Sequence, residues 1–194
     1  MPRYAVCVFC AALLMGAGLT ACASSSAPTV TPGPAGISRA TPSLFDEPWS
    51  WVDDHGVATT FGAFRGAPLV VTAIYTSCTV RCPFTVEKLK EVARAYERSG
   101  RTAHFFLVTL DPHTDTPERL HRFKEARHLP EDWHLLAGSD LDTRALARRL
   151  VVRAMWDDGH IDHDVRIGVF DASGRLVRSY ADWSFDAGAA VVSR

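Results

Sequence analysis

Cys78 and Cys82 are the side chains in this sequence best placed to do chemistry, in the run Tyr75-Thr76-Ser77-Cys78-Thr79-Val80-Arg81-Cys82-Pro83. They follow an apolar, strand-like stretch and open a segment with helical patterning. Three residues separate them, and positions i and i+4 of a helix share a face. Two thiolates so spaced can share one soft metal ion or close a disulfide. A helix start offers unpaired N–H groups and the positive end of the helix dipole, which favours the thiolate of Cys78 and also that of Cys82. Pro83 suits this place, because the first helical turn does not need the donor that proline lacks. The bland reading is an inert disulfide or two unrelated core cysteines.

The surrounding pattern must position these thiols. Trp51 to Gly56 reads as a strand entering a turn, and Leu69 to Tyr75 as a central strand. Val86, Leu89, Val92, Ala93 and Tyr96 recur at helical spacing between Pro83 and Arg98, with Gly100 as the stop. His104 to Leu110 is a second buried strand, and Thr116-Pro117 is a capped helix start. Trp133 to Leu136 reads as a short strand ended by Gly138. Ser139 or Asp140 caps a helix through Leu150. Val165 to Phe170 and Arg175 to Tyr180 form strands around the turn Asp171-Ala172-Ser173-Gly174. Alternation of this kind specifies an α/β layer fold. A dithiol at the start of the first core helix is the thioredoxin arrangement. The expected architecture is a thioredoxin-like fold, with a central mixed β-sheet flanked by helices and N-terminal extension strands.

In that fold, the loop before the Val165 to Phe170 strand sits beside the dithiol. His163, in Gly159-His160-Ile161-Asp162-His163-Asp164, can then supply a third ligand, with His160 as its rival. Two sulfurs and an imidazole suit copper, Cu(I) or Cu(II). They also resemble an incomplete zinc site. Asp162 and Asp164 are candidate acceptors behind a ligand histidine. Asp111 and Asp115 flank another strand end, where they could orient the site, cap the next helix or meet a partner. His55, His104, His113, His121, His128 and His134 form no compact cluster along the sequence.

The first residues have a separate logic. A basic start, the apolar run Ala5 to Leu19 and the ending Leu19-Thr20-Ala21-Cys22 resemble a bacterial lipoprotein signal peptide. That resemblance implies cleavage after residue 21 and lipid on Cys22. It places the protein outside the cytoplasm, anchored to a membrane, on the periplasmic side in a two-membrane cell. Residues 22–43 read as the lipidated Cys22 followed by a Ser/Thr/Ala/Pro/Gly-rich tether, and residues 44–194 as one domain. Cleavage removes Cys7 and Cys10, leaving Cys78 and Cys82 as the free thiols of an oxidising compartment. The net charge of −1, without a basic cluster, argues against nucleic acid as a partner.

Together these residues resemble the SCO/SenC family of copper-binding cytochrome c oxidase assembly proteins. Cys78 to Pro83 matches that family's CxxxCP core, and Asp111 to Leu120 its DPxxDTPxxL signature. Trp133-His134-Leu135-Leu136-Ala137-Gly138 is similar to a further family segment. The likeness runs from about Trp51 to Tyr180. It implies Cys78 and Cys82 as copper thiolates, His163 as the third ligand, and Asp111 in a loop near the metal but not on it. It implies the copper-bearing subunit of cytochrome c oxidase as partner, with an upstream copper chaperone or thiol reductant as supplier. Arg81 between the cysteines and the short Ala/Gly-rich segment after Tyr180 depart from the family pattern.

Three functions fit these residues. A copper metallochaperone leads, with ligand exchange rather than turnover. A thiol–disulfide oxidoreductase acting on the target's copper-site cysteines is second, with Cys78 and Cys82 as its catalytic pair. No proline occurs from Ile161 through Val165, where ordinary thioredoxins place one for thiol substrates. A binding lipoprotein with a merely structural disulfide is third.

Overall fold

The apolar run Leu69–Ile74 becomes the middle of a sheet, and each of its residues is buried. The computed structural model describes residues 42–157 and 160–192. The leader, Cys22 and the tether up to residue 41 lie outside the described residues, and so does the side chain of His160.

In chain order the strands are β1 (Trp51–Asp53), β2 (Ala58–Thr59), β3 (Leu69–Ile74), β4 (His104–Thr109), β5 (His134–Gly138), β6 (Ala154–Asp157), β7 (His160–His163), β8 (Ile167–Phe170) and β9 (Leu176–Tyr180). The helices are α1 (Arg81–Arg98), α2 (Pro117–Ala126) and α3 (Asp140–Arg149). Seven strands form one mixed sheet in the order β2-β1-β5-β4-β3-β8-β9. β3, β4 and β5 run parallel, while β8 and β9 add antiparallel at one side and β1 and β2 at the other. This is the thioredoxin-like arrangement with N-terminal extension strands that the sequence pattern specifies.

Buried strands need apolar residues on both faces, which β3 and β4 supply. α1 turns Val86, Leu89, Val92 and Tyr96 inward, each worth about 1.5–3 kcal/mol when fully buried. Thr116 and Ser139 cap α2 and α3 by accepting from Arg119 N–H and Asp142 N–H. No helix among the described residues is long and apolar enough to cross a membrane.

Two features differ from the sequence pattern. Residues 154–163 contain a separate hairpin, β6 with β7, in which Ala154 faces His163. The stretch before His163 is therefore a strand rather than a loop. The C-terminal segment packs as a short 3₁₀ turn, Ala187–Ala190, with Ala190 fully buried. Tyr96 Oη of α1 donates to the Ala190 carbonyl at 3.1 Å and accepts from Val192 N–H at 3.3 Å. Small residues let this turn lie close to α1, and among the described residues no amphipathic helix follows Tyr180.

Candidate metal centre

The helix start explains the dithiol geometry. α1 begins at Arg81, so Cys78 stands in the turn before it and Cys82 in its first turn. The two cysteines are therefore not an i, i+4 pair on one helical face. The chain folds back instead. Cys78 N–H donates to the Tyr75 carbonyl at 3.1 Å, and Cys82 N–H donates to Cys78 Sγ at 3.3 Å. Val80 offers no capping side chain, so the sulfur of Cys78 takes a donor that a cap residue would normally take. Both cysteines are free and buried.

The thiols are electrostatically unequal. Burial raises Cys78, but hydrogen bonds from Cys82 and the N–H groups of Val80 and Arg81 outweigh it and bring the thiol below its ordinary value. Cys82 is pushed up strongly, by burial first and by the neighbouring Cys78 charge. The expectation that the helix start favours both thiolates holds for Cys78 alone, because Cys82 sits too deep.

His163 reaches the thiols from the end of β7. One ligand atom from each of Cys78, Cys82 and His163 lies within 4.8 Å of the others. His163 Nδ1–H donates to the Asp164 carbonyl at 2.9 Å, which fixes the tautomer and leaves Nε2 with its lone pair. Nε2 is buried and has no hydrogen-bond partner among the described residues. Burial, followed by the Arg81 charge acting against the Asp164 hydrogen bond, holds this imidazole below its ordinary pKa. A buried neutral nitrogen with a free lone pair beside two sulfurs fits a soft cation. Tyr75 packs edge-on to the ring, centroids 5.6 Å apart. Its phenol is raised to about 12, by burial and then by Cys78.

The acids fall differently from expectation. Asp162 Oδ1 accepts from Arg81 Nη1 at 2.7 Å, and the same nitrogen donates to the His163 carbonyl at 2.8 Å. Arg81 thus joins the start of α1 to β7. The Asp164 carboxylate turns to Arg153 and Arg166. The acceptor behind His163 is therefore the Asp164 main chain, not a carboxylate. Asp111 closes its own turn by accepting from Thr114 N–H at 3.3 Å. The acid that grips the dithiol loop is Asp115, which is fully buried. It accepts from Thr76 N–H at 2.9 Å and from the hydroxyls of Thr76 and Thr109. Arg119 Nε donates to Thr76 Oγ1 at 2.7 Å. Tyr75 had no marker in the sequence beyond its place just before the dithiol turn.

A cleft of about 490 Å³, lined by Tyr75, Cys78, Val80, Arg81, Asp162 and His163 among others, opens the cluster to solvent. An ion held by these residues would be reached from solvent through this cleft.

Fold and cluster together define a thioredoxin-like protein with a Cys/Cys/His set able to coordinate a metal ion. Residues 38–191 match the family model described as SCO1/SenC, and the chain belongs to that family. Its fold is similar to Arabidopsis thaliana ScoI with copper bound, at 22% identity and a TM-score of 0.66, covering 74% of this chain and 91% of that one. It is similar to Bradyrhizobium japonicum ScoI with copper bound, at 23% identity and a TM-score of 0.63, covering 74% and 93%. A SCO1/SenC family lipoprotein from Bacillus anthracis str. Ames matches at 19% identity and a TM-score of 0.64, covering 70% and 83%. At these identities the likeness is one of fold. No curated protein matches the chain.

Proposed function

We propose that this chain is a copper metallochaperone that holds copper through Cys78, Cys82 and His163. Its cargo is destined for the dinuclear copper centre of cytochrome c oxidase. The observation that carries this reading is the buried, unpartnered Nε2 of His163 within reach of both thiols. Delivery requires ligand exchange: a donor of the oxidase copper subunit enters the cleft as one local ligand leaves, so no free ion is released. Soft thiolates retain Cu(I), and imidazole accepts either oxidation state. Two solved relatives hold copper and a third is described as a lipoprotein. These support an anchored, extracytoplasmic role, with residues 1–21 removed, lipid on Cys22, and residues up to 43 as tether to a domain of residues 44–194.

Anaerobic titration of the reduced protein with Cu(I), beside Cys78→Ser, Cys82→Ser and His163→Ala, tests the proposal. The parent should bind one equivalent, and each variant should lose affinity. Unimpaired binding in all three variants would sink it. Transfer to the oxidase copper domain then separates delivery from storage.

A second reading is favoured by the unequal thiols. Cys78 as thiolate attacks a partner disulfide, releases one partner thiolate and forms a mixed disulfide. Cys82 gives its proton to the released partner thiolate and attacks Cys78 Sγ, releasing the second partner thiolate. The target is reduced by two electrons, the Cys78–Cys82 pair is oxidised, and an external thiol reductant restores it. Disulfide turnover without copper uptake would select this reading.

A further inference from the structure

We propose a second metal site, for a divalent ion of the zinc class, formed by Asp54, His55 and His121. Asp54 and His55 follow β1, and His121 lies on α2. The site shares no residue with the Cys/Cys/His cluster and does not depend on the copper reading. Ligand atoms of the three side chains all lie within 4.8 Å of one another.

Asp54 Oδ2 is 3.4 Å from His121 Nδ1 and 3.6 Å from His55 Nε2. The first is a long hydrogen bond and the second lies beyond hydrogen-bond reach, so neither imidazole is tightly paired with the carboxylate. The shorter one matches the edge of a coordination tetrahedron, in which bonds of about 2.0–2.1 Å place neighbouring ligand atoms about 3.3–3.4 Å apart, and the longer exceeds it slightly. The two rings are tilted by 60° with centroids 5.3 Å apart, so they do not stack on each other. Both nitrogens converge on one oxygen.

The surroundings prepare that oxygen. The Asp54 side chain is only 2% exposed, and Leu135 N–H donates to its other oxygen at 3.5 Å. Asp53 Oδ1 accepts from His55 N–H at 2.9 Å and Val57 N–H at 2.8 Å, which holds the turn carrying His55. Lys124 Nζ also approaches Asp54 Oδ2, at 3.3 Å. Its charge is shared, because it donates to the Glu131 carbonyl at 2.9 Å and has the Glu131 carboxylate at 3.8 Å. Glu125 Oε1 stands 3.7 Å from His121 Nε2. Asp54 and Glu131 face the Lys124 ammonium, Glu125 faces His121, and Glu118 and Arg122 border the same cavity, so the carboxylates outnumber the fixed cations and a divalent cation offsets the excess. The imidazole pair selects a borderline ion such as Zn²⁺ over Mg²⁺ or Ca²⁺, which prefer all-oxygen sets. A cavity bordered by Gly56, Pro117 and Glu118 leaves the site open for a further ligand or water.

Co²⁺ and Zn²⁺ binding to the full chain tests this, with all five cysteines changed to serine so that no thiolate competes. The expected result is one equivalent of Co²⁺ with tetrahedral d–d absorption, displaced by Zn²⁺. Affinity should fall more than about tenfold in both His55→Gln and His121→Gln. Both imidazoles are partly exposed, so these variants should retain the parent's circular dichroism. No uptake by the cysteine-free chain, or uptake insensitive to either histidine change, overturns the proposal.

Discussion

Burial raises the thiols of both Cys78 and Cys82, yet only Cys82 remains raised. The difference is the set of N–H donors at the start of α1, which converges on the Cys78 sulfur. Thiolate is the reactive form, and Cys78 is 6% exposed against 1% for Cys82. Limited iodoacetamide treatment of the reduced, metal-free protein should therefore label Cys78 first. Peptide mass spectrometry reads the order, and equal labelling would contradict the asymmetry. Arg81 acts at the same scale but through geometry. An exposed ion pair such as Arg81–Asp162 contributes about 0–1 kcal/mol to stability. Its second bond, to the His163 carbonyl, fixes where the imidazole stands. Arg81→Met should leave urea stability within about 1 kcal/mol of the parent. Its Cu(I) affinity, measured by chelator competition, should fall about tenfold. A large loss of stability with unchanged affinity would assign Arg81 a purely structural role.

At the scale of elements, the hairpin of β6 and β7 brings the distant imidazole to the dithiol. It is launched by Val151, which has φ of 60° just after α3. Val151 N–H donates to Arg148 and Val152 N–H to Ala147, an end that normally takes glycine. A β-branched residue there costs about 1–2 kcal/mol, partly offset because glycine is more flexible when unfolded. Val151 is exposed, so little packing is lost on its removal. Val151→Gly should raise stability by about 0.5–1 kcal/mol in urea denaturation. A loss of stability would show that the side chain supports the hairpin. This element also marks the limit of what the sequence discloses. β3, β4, α1 and the capped starts of α2 and α3 are legible because periodicity, Thr116-Pro117 and Ser139 are local signals. Cys78, Cys82 and His163 are legible as a set through motif and fold. The hairpin is not, since Asp158-Gly159 is a turn signal whose flanking residues alternate weakly. Asp115 is not distinguished from Asp111 either, because Thr76 and Thr109 reach it only after β3 and β4 pair.

Across the whole molecule, histidines far apart in sequence share aromatic surroundings. His104 and His134 lie 5.7 Å apart between ring centroids, and both pack on Phe64 and Phe106. Burial lowers the pKa of each. His104 and Lys124 lower His134 further, while Asp132 and Asp53 oppose the shift; Asp132 opposes it at His104 too. The sign follows directly. Between the depressed folded values and the ordinary value of about 6.5, the unfolded chain holds protons that the folded chain does not. Stability therefore rises with pH in that window, is fully present above about pH 6.5, and is lost as pH falls through the window. The metal-free protein should unfold at lower urea at pH 5.5 than at pH 7.5. Both pH values lie above the ordinary carboxylate range of about 4. His134→Phe keeps the ring stack on Phe106 and removes the titrating nitrogen, so it should narrow the difference between the two midpoints. Identical midpoints in the parent would show that neither imidazole is held neutral by the packed aromatic cluster.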